Sequence, residues 1–335
     1  MRLPFTSQLI SKIAPSLGIE VELEPEYGFV GELTFADGRR HLFRNTNFNI
    51  NPAGSTEIAD DKQYTSYYLR KYGFNVPRSK AFFSDRLNQN LAVERRRSIL
   101  DAAEYAMAMG FPVFAKPNNL GQGILVAKVH SPRQLHDVSQ KIFERTDVMM
   151  VQEPVSGLDY RIVILHGEVI SAYERLPLQV IGNGFSTIEE LLVQAKNDLE
   201  ARGRSNSDIN IDDFRIRQNL SMSGLTRSSV AKMNEVLVLL DNANLSNGGC
   251  ARDVTSSIHQ EFIEIARKAA QSIGLVLCGV DIIADDLTAC ASTQNWAIIE
   301  LNAAPGLDNY AKMGETQMKR VEDMYRRILL SLAHG

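Results

Sequence analysis

Two apolar runs late in the sequence, "CGVDII" (278–283) and "AIIELNAAPG" (297–306), are each broken by an acid. An ionised carboxylate inside an apolar strand is expensive unless an opposite charge or a cation meets it. The chain must therefore fold so that both runs become strands and their acids face a partner. Side chains alternate along a strand, so Ile299 and Leu301 are expected on one face and Glu300 and Asn302 on the other. Asp281, Glu300 and Asn302 form an all-oxygen set, which suits a hard cation such as Mg²⁺ with water and phosphate oxygens completing its shell. Pairing of the two acids with nearby Lys or Arg is the competing reading. The "AAPGL" turn after Asn302 favours function, since loops at strand ends position reacting groups.

A second stretch with chemistry is "FPVFAKPNNLGQGILVAKV" (111–129). A strand ends on Lys116-Pro117, a Gly-bearing loop follows, and "ILVAKV" resumes as a strand. Glycines let a backbone approach phosphates, and an adjacent lysine supplies charge. The motif is neither a P-loop nor a dinucleotide fingerprint, because a strand rather than a helix follows. A plain hairpin with a loop of about five to seven residues is the alternative. In "VQEPVSGLDYRIVI" (151–164), Glu153, Asp159 and Arg161 stand just past a buried strand. Such a strand end suits an adenine edge and ribose hydroxyls, but a turn needs Pro, Gly and Asp anyway, and a surface Asp159–Arg161 pair is equally admissible.

The rest of the chain reads as alternating short strands and helices. "IEVELEP", "GFVGELTF" and "RHLFRNT" form a β-rich opening segment with "FADGRRH" as a hairpin. A helix is expected from Ser55, with Tyr64, Tyr67 and Tyr68 at helical spacing and directed to the core. "ERRRS" (94–98) reads as a solvated helix face. Ser186 and Glu189 suggest a capping box opening the next helix. Residues 203–232 are polar and read as a loop-rich excursion with one short helix. Together with "NGFSTIEELL" (183–192), that excursion is the candidate for choosing the substrate, a surface insertion being the alternative.

Composition narrows the function class. The chain has 335 residues, 44% of them hydrophobic, and a formal charge of −4, so it can bury a large core and carries no global basic field for nucleic acid. Its three cysteines show no CxxC spacing, and its six histidines show no zinc-binding pattern. With no secretory signal pattern and no run of eighteen apolar residues, a cytoplasmic protein without a membrane span is expected. A small-molecule partner is the default.

Taken in order, "DDKQYTSYYL", "KPNNLGQGI", "VSGLDYRIVILHGEVISAYERLPLQVIGNGFSTIEELL", "LDNANLSNGGCARDVTSSIH", "CGVDII" and "IIELNAAPG" resemble the ATP-grasp superfamily over roughly residues 57–310. Within it they are similar to the ATP-grasp module of cyanophycin synthetase and of the glutathione synthetases, including the bifunctional type. The resemblance implies an α+β ATP-grasp fold, two α/β subdomains with largely antiparallel sheets clamping ATP, preceded by a short β-rich N-terminal segment. The implied division is 1–54 for that segment, 55–150 for the part with the Gly-rich loop, and 151–335 for the part with the arginines and Mg²⁺ site. Relatives carry a larger domain where residues 1–54 stand, and no second catalytic module is expected after the metal motif.

By matching positions, the resemblance places Lys62 and Lys116 on the ATP phosphates, and Asn119, Gly121, Gln122 and Gly123 in the loop closing over them. Gln152, Glu153 and Val155 would sit by the adenine, and Asp159 near the ribose. Arg161 and Arg175 would act on the acyl phosphate or the substrate carboxylate, while Asp281, Glu300 and Asn302 hold one or two Mg²⁺, with Mn²⁺ as a substitute. The implied activity is ATP-dependent ligation of a carboxylate to an amine, both from amino acids or a short peptide, through an acyl phosphate. A non-catalytic ATP-binding regulatory module and an ATP-grasp kinase are the alternatives. Relatives commonly form homo-oligomers.

Overall fold

The computed structural model describes residues 3–201, 204 and 209–334. Helix α1 (Phe5–Ile13) leads into an antiparallel meander of β1 (Glu20–Leu23), β2 (Val30–Thr34) and β3 (Arg40–Arg44). The expected Asp-Gly hairpin joins the last two: Gly38 takes φ +83° and its N–H donates to Phe35 O at 2.9 Å. The next helix starts at Ala53, behind Pro52, rather than at Ser55. It is split into α2 (Ala53–Asp60) and α3 (Lys62–Lys71) by Asp61, whose Oδ1 accepts from Tyr64 N at 2.8 Å.

A four-stranded sheet follows, ordered β4 (Ser79–Phe83), β7 (Val148–Gln152), β5 (Val113–Pro117), β6 (Ala127–Val129). The short helix α4 (Asp85–Gln89) succeeds β4, and α5 (Ile99–Met109) and α6 (Pro132–Phe143) cover the sheet. Phe82, Val113, Leu135, Val138 and Met149 pack between these layers. A five-stranded sheet comes next, starting with β8 (Leu158–Leu165) and β9 (Glu168–Leu176). The chain then leaves it for the β10 (Gln179–Ile181)–β11 (Val236–Val238) pair, which encloses α7 (Ile188–Ala201) and α8 (Phe214–Met222) and has a small core of its own. It returns with β12 (Cys250–Asp253), α9 (Gln260–Ser272), β13 (Leu277–Ala284) and β14 (Trp296–Asn302), giving the order β12-β9-β8-β13-β14. Helices α10 (Asp308–Ala311) and α11 (Glu315–His334) close the fold. Every strand pairing in the described residues is antiparallel.

Alternation along β8 assigns the two faces of the large sheet. Ile162 and Ile164 join Val280, Ile282 and Phe262 in a core against α9, which also takes Ala59 of α2 and Leu69 of α3. Val163 and Leu165 on the other face join Tyr173, the N-terminal meander, α1 and α11. The opening segment thus shares a core with the last helix.

Three local expectations change. Tyr64 and Tyr67 are 60% and 54% exposed and only Tyr68 packs on the core, because α3 turns Thr65, Ser66 and Leu69 inward. The capping box falls one residue later than expected, with Glu190 N donating to Thr187 Oγ1 at 3.2 Å and Thr187 N to Glu190 Oε2 at 2.8 Å. The arginines of 94–98 lie on a 3-10 turn and an extended stretch rather than on a helix face.

Asn51 joins the opening segment to the strands that carry the acids. Its Nδ2 donates to Leu277 O at 2.8 Å and Ala303 O at 2.7 Å, and its Oδ1 accepts from Val276 N at 2.7 Å and Leu277 N at 3.0 Å. All of the amide's donors and both oxygen lone pairs are used. Asn51→Ala is expected to lower the free energy of unfolding in urea by about 2–3 kcal/mol, since partly buried backbone groups at both strands lose their partners. A change below about 0.5 kcal/mol, the range of an ordinary surface substitution, contradicts this role.

Candidate active site

The broken apolar strands meet as the opening argument requires. In the large sheet Tyr173, Arg161, Asp281 and Glu300 stand directly opposite one another across β9, β8, β13 and β14. Opposed residues share a face, so one rung brings a cation between a phenol and two acids. Arg161 holds the buried Asp281 with two parallel bonds, Nε to Oδ1 at 2.6 Å and NH2 to Oδ2 at 2.7 Å. Arg175 NH2 approaches the same Oδ2 at 2.9 Å and also donates to Asp159 Oδ1 at 2.6 Å. Asp159 faces Arg175 in the β8–β9 register, so the surface Asp159–Arg161 pair does not form; each takes a different partner.

A β-bulge shapes the last strand. Asp281 opposes Glu300 but Ile282 opposes Ile298, so Ile299 is the extra residue. Ile298 and Leu301 therefore point into the α9-side core, while Ile299 is displaced into the site cavity. The expected pairing of Ile299 with Leu301 on one face is corrected. Glu300 still turns toward the cation-lined side, where Lys62 Nζ lies 3.5 Å from its Oε2.

The Gly-rich loop lies across from this rung. It joins β5 to β6 over residues 118–126, longer than the five to seven anticipated for a plain hairpin. Lys62, at the start of α3, donates through Nζ to Leu120 O at 2.9 Å. Buried Asn118 accepts at Oδ1 from Gln63 N at 3.0 Å, so α3 is seated on the loop's entry. Gly123 takes φ +67°, and a Cβ there would stand 2.0 Å from Asn242 Nδ2, so a side chain at this position would strain the backbone and displace that amide. Lys116 is buried, with Nζ donating to Gln152 Oε1 at 2.9 Å.

Burial is the largest influence on Lys116 and pushes its pKa down to about 8, opposed by Glu300 and assisted by Lys62. Burial also pushes Asp159 up to about 6, against the pull of Arg175. On Glu300 burial acts upward too, but Lys62, Lys116 and Arg161 together hold it well below the ordinary carboxylate range. The site thus combines a carboxylate held ionised, Glu300, with two groups that burial moves toward neutrality from opposite directions, Asp159 and Lys116.

Two adjoining cavities result. The smaller, about 100 Å³, is lined by Lys62, Lys116, Gly121, Gln122, Gly123, Asp159, Arg175, Asp281 and Glu300. The larger, about 650 Å³, has Arg161, Arg175, Glu300 and Asn302 at one side and Leu3, Phe5, Thr6, Phe29 and Thr46 of the opening segment at the other. Gly121, Gln122, Arg175, Asn244 and Glu300 belong to both walls. The remaining expected residues line neither cavity. Asn119 accepts from Thr146 Oγ1 at 3.0 Å, Glu153 holds Arg78 Nε at 2.6 Å, Val155 is half-buried beyond β7, and Gln152 acts through Lys116. The candidate substrate-choosing stretch 183–192 caps and fills the small core around α7, and the 203–232 expectation extends over positions 203 and 205–208, outside the described residues.

The acids fit a divalent cation. Asp281 accepts one hydrogen bond at each oxygen from Arg161, with Arg175 NH2 in ion-pair contact at Oδ2, so its roughly four lone-pair sites are not all used. Asn302 spends its Nδ2 on Gly279 O at 3.5 Å, and its Oδ1 meets no donor among the described residues. Residues that sequence reasoning missed are Asn51, Asn118, Arg215, Asn242, Asn244 and Asn247. The run "LDNANLSNGG" carried the last three in plain view, but nothing local tied those amides to a loop about 120 residues earlier.

A family model described as D-ala D-ala ligase C-terminus matches residues 69–248, and one described as RimK-like ATP-grasp domain matches residues 241–322. The chain is 33% identical over 258 residues to a cyanophycin synthetase of Geminocystis herdmanii, covering 75% of this chain and 28% of that one. It is 30% identical over 254 residues to the glutathione biosynthesis bifunctional protein GshAB of Clostridium perfringens, covering 75% and 31%. It spans about a third of the length of these curated relatives. In fold it superposes on a bifunctional glutathione synthetase from Pasteurella multocida with a TM-score of 0.60 at 22% identity, over 97% of this chain and 44% of that one. With the antiparallel sheets, the facing lysines and the acid-bearing strands in place, the chain belongs to the ATP-grasp family.

Proposed function

We propose that the chain joins a carboxylate to an amine, both supplied by amino acids or a short peptide, at the cost of ATP converted to ADP and phosphate. The observation that carries this reading is the common wall of the two cavities. The lysines and Gly-rich loop that suit a polyphosphate open directly onto a chamber large enough for a dipeptide, with Arg161 and Arg175 at the junction. The names of the sequence relatives support the same chemistry.

In this reading Lys62, Lys116 and the amides of residues 120–123 bind the phosphates, and Asp159 and the end of β7 lie toward the nucleoside. A carboxylate oxygen attacks the γ-phosphorus, ADP leaves, and an acyl phosphate forms. The amine then attacks the acyl carbon, inorganic phosphate leaves, and the amine's proton is lost to solvent. Arg161 and Arg175, fixed by their acids, present guanidinium edges to the oxygens on which charge accumulates. Mg²⁺, or Mn²⁺ in its place, would be held by Asp281, Glu300 and Asn302 and would neutralise the phosphate oxygens. No protein nucleophile takes part.

Incubation with Mg-ATP and a panel of paired amino acids is expected to release ADP and phosphate in equal amounts with the correct pair, and Glu300→Gln to reduce that turnover by roughly 100-fold with the fold retained. Release of ADP with a stable phosphoester instead of free phosphate, or wild-type turnover in the variant, contradicts the proposal. A second prediction concerns pH. A phosphate favours the charged form of Lys116, which prevails below about 8. ATP affinity should therefore fall as pH rises through about 8, and binding at about pH 8.5 should take up protons, measured by calorimetry in buffers of different ionisation enthalpy. Lys116→Met should abolish the uptake; an unchanged uptake would show that another group titrates.

A further inference from the structure

The Gly-rich loop has an unusual hydrogen-bond polarity. Each carbonyl from Leu120 to Gly123 is already held. Lys62 Nζ donates to Leu120 O at 2.9 Å, Ile124 N to Gly121 O at 3.2 Å, Asn247 Nδ2 to Gln122 O at 3.1 Å, and Arg215 NH1 to Gly123 O at 2.7 Å. The N–H groups of the same four residues donate to nothing among the described residues. A carbonyl held by a donor cannot swing round to face an anion. Because the peptide is planar and trans, a held carbonyl also fixes the N–H of the next residue: the holds on Leu120, Gly121 and Gln122 fix the free amides of Gly121, Gln122 and Gly123, and the hold on Gly123 fixes the Ile124 N–H that donates to Gly121 O. The loop is left with donors to offer and no acceptors, which is what an anion requires.

Two of the four holds come from a distant part of the chain. Arg215 lies in α8 and is 9% exposed, with its charge met by Asp213 at 2.6 Å. Its NH1 is shared between Gly123 O and Val126 O, the latter at 3.0 Å, so it spans the far half of the loop. Asn242 Nδ2 adds a weaker bond to Gly123 O at 3.3 Å, and Gln218 Nε2 donates to Lys128 O at 3.1 Å, extending the contact along β6. Gln122, Gly123 and Leu125 all carry positive φ, at 56°, 67° and 54°. Two of these are non-glycine residues in the left-handed region, where Cβ crowds the backbone, so holds of this kind keep the loop in shape.

We infer that Arg215 is a positioning residue of the nucleotide site: it fixes the carbonyl of Gly123 and with it the Ile124 N–H that holds Gly121 O, and so keeps the Gln122 amide and its neighbours turned to the phosphates. The inference rests on the reading of this loop as the phosphate side of the site. It makes phosphate affinity, but not nucleoside affinity, depend on a residue about 90 positions away that touches no ligand.

The test is equilibrium binding of Mg-ADP and of adenosine to the full chain and to Arg215→Ala and Arg215→Lys. Arg215→Ala is expected to weaken Mg-ADP about tenfold or more while adenosine changes less than about twofold, and Arg215→Lys, which can still reach one carbonyl, to restore part of the loss. Unchanged Mg-ADP affinity in Arg215→Ala overturns the inference, as does an equal loss for adenosine, which would mark a general structural defect. If Arg215→Ala does not fold by circular dichroism, Asn247→Ala takes its place. That variant removes the donor to Gln122 O and should weaken Mg-ADP severalfold and selectively, whereas unchanged Mg-ADP affinity again overturns the inference. A wild-type chain that binds no Mg-ADP refutes the nucleotide reading itself rather than the role of Arg215.

Discussion

Asp281 is 2% exposed, accepts two hydrogen bonds from Arg161 on the next strand and is ion-paired to Arg175 one strand further on. Leaving such a carboxylate without one of its partners costs about 3–5 kcal/mol, more than most single contacts in a domain contribute. The sheet is therefore tied to one register. A slip of β13 by one residue would send Asp281 into the α9-side core and Val280 into the site. Arg161, Arg175, Asp159 and Glu300 all take their places from that register, and the bulge at Ile299 lets β14 keep Glu300 on the charged side while its apolar neighbours stay buried. A well-packed apolar replacement could be equally stable. Five charges on one sheet face fit a site better than a scaffold.

The same face of the large sheet serves two purposes along its length. Toward one end Val163 and Leu165 bury themselves against the meander and α11; toward the other Arg161 and Asp159 enter the cavities, with Tyr173 opposite Arg161 at the boundary. This explains why a β-rich opening segment that has no catalytic motif nevertheless forms a wall of the larger cavity. Asn51 fastens that segment to both acid-bearing strands. The Gly-rich loop, on the other sheet, is reached by Lys62 from α3 and by Arg215 from α8. Lysine from the loop side and acid from the large sheet thus meet across the smaller cavity, where Lys62 Nζ stands 3.5 Å from Glu300 Oε2.

Much of this was legible in the residues because the signals were local. An acid breaking an apolar run, a Lys-Pro before a Gly-rich loop and an Asp-Gly turn each state their own physical requirement. The existence of the strands bearing Lys116, Asp281 and Glu300 followed from those. What could not be read depended on who meets whom. Both bland and functional readings of Asp281 predicted a cationic partner, and only the cross-strand register shows that Arg161 and Arg175 supply it. Tyr64 and Tyr67 have helical spacing, but which side of α3 is buried is decided by its neighbours rather than by spacing. The amides around Gly123 and the guanidinium of Arg215 act on backbone carbonyls, which any sequence possesses, so no residue pattern marks their target.

A crystal structure of the full chain with Mg²⁺ and a non-hydrolysable ATP analogue tests the central claim most directly. The account predicts the phosphates against the amides of residues 120–123 and beside Lys62 and Lys116, and the metal on oxygens of Asp281, Glu300 and Asn302. It also predicts that Arg161 stays paired with Asp281, since the two hydrogen bonds from Arg161 leave lone-pair capacity on that carboxylate. Phosphates bound elsewhere, or a metal held by other side chains, would contradict it.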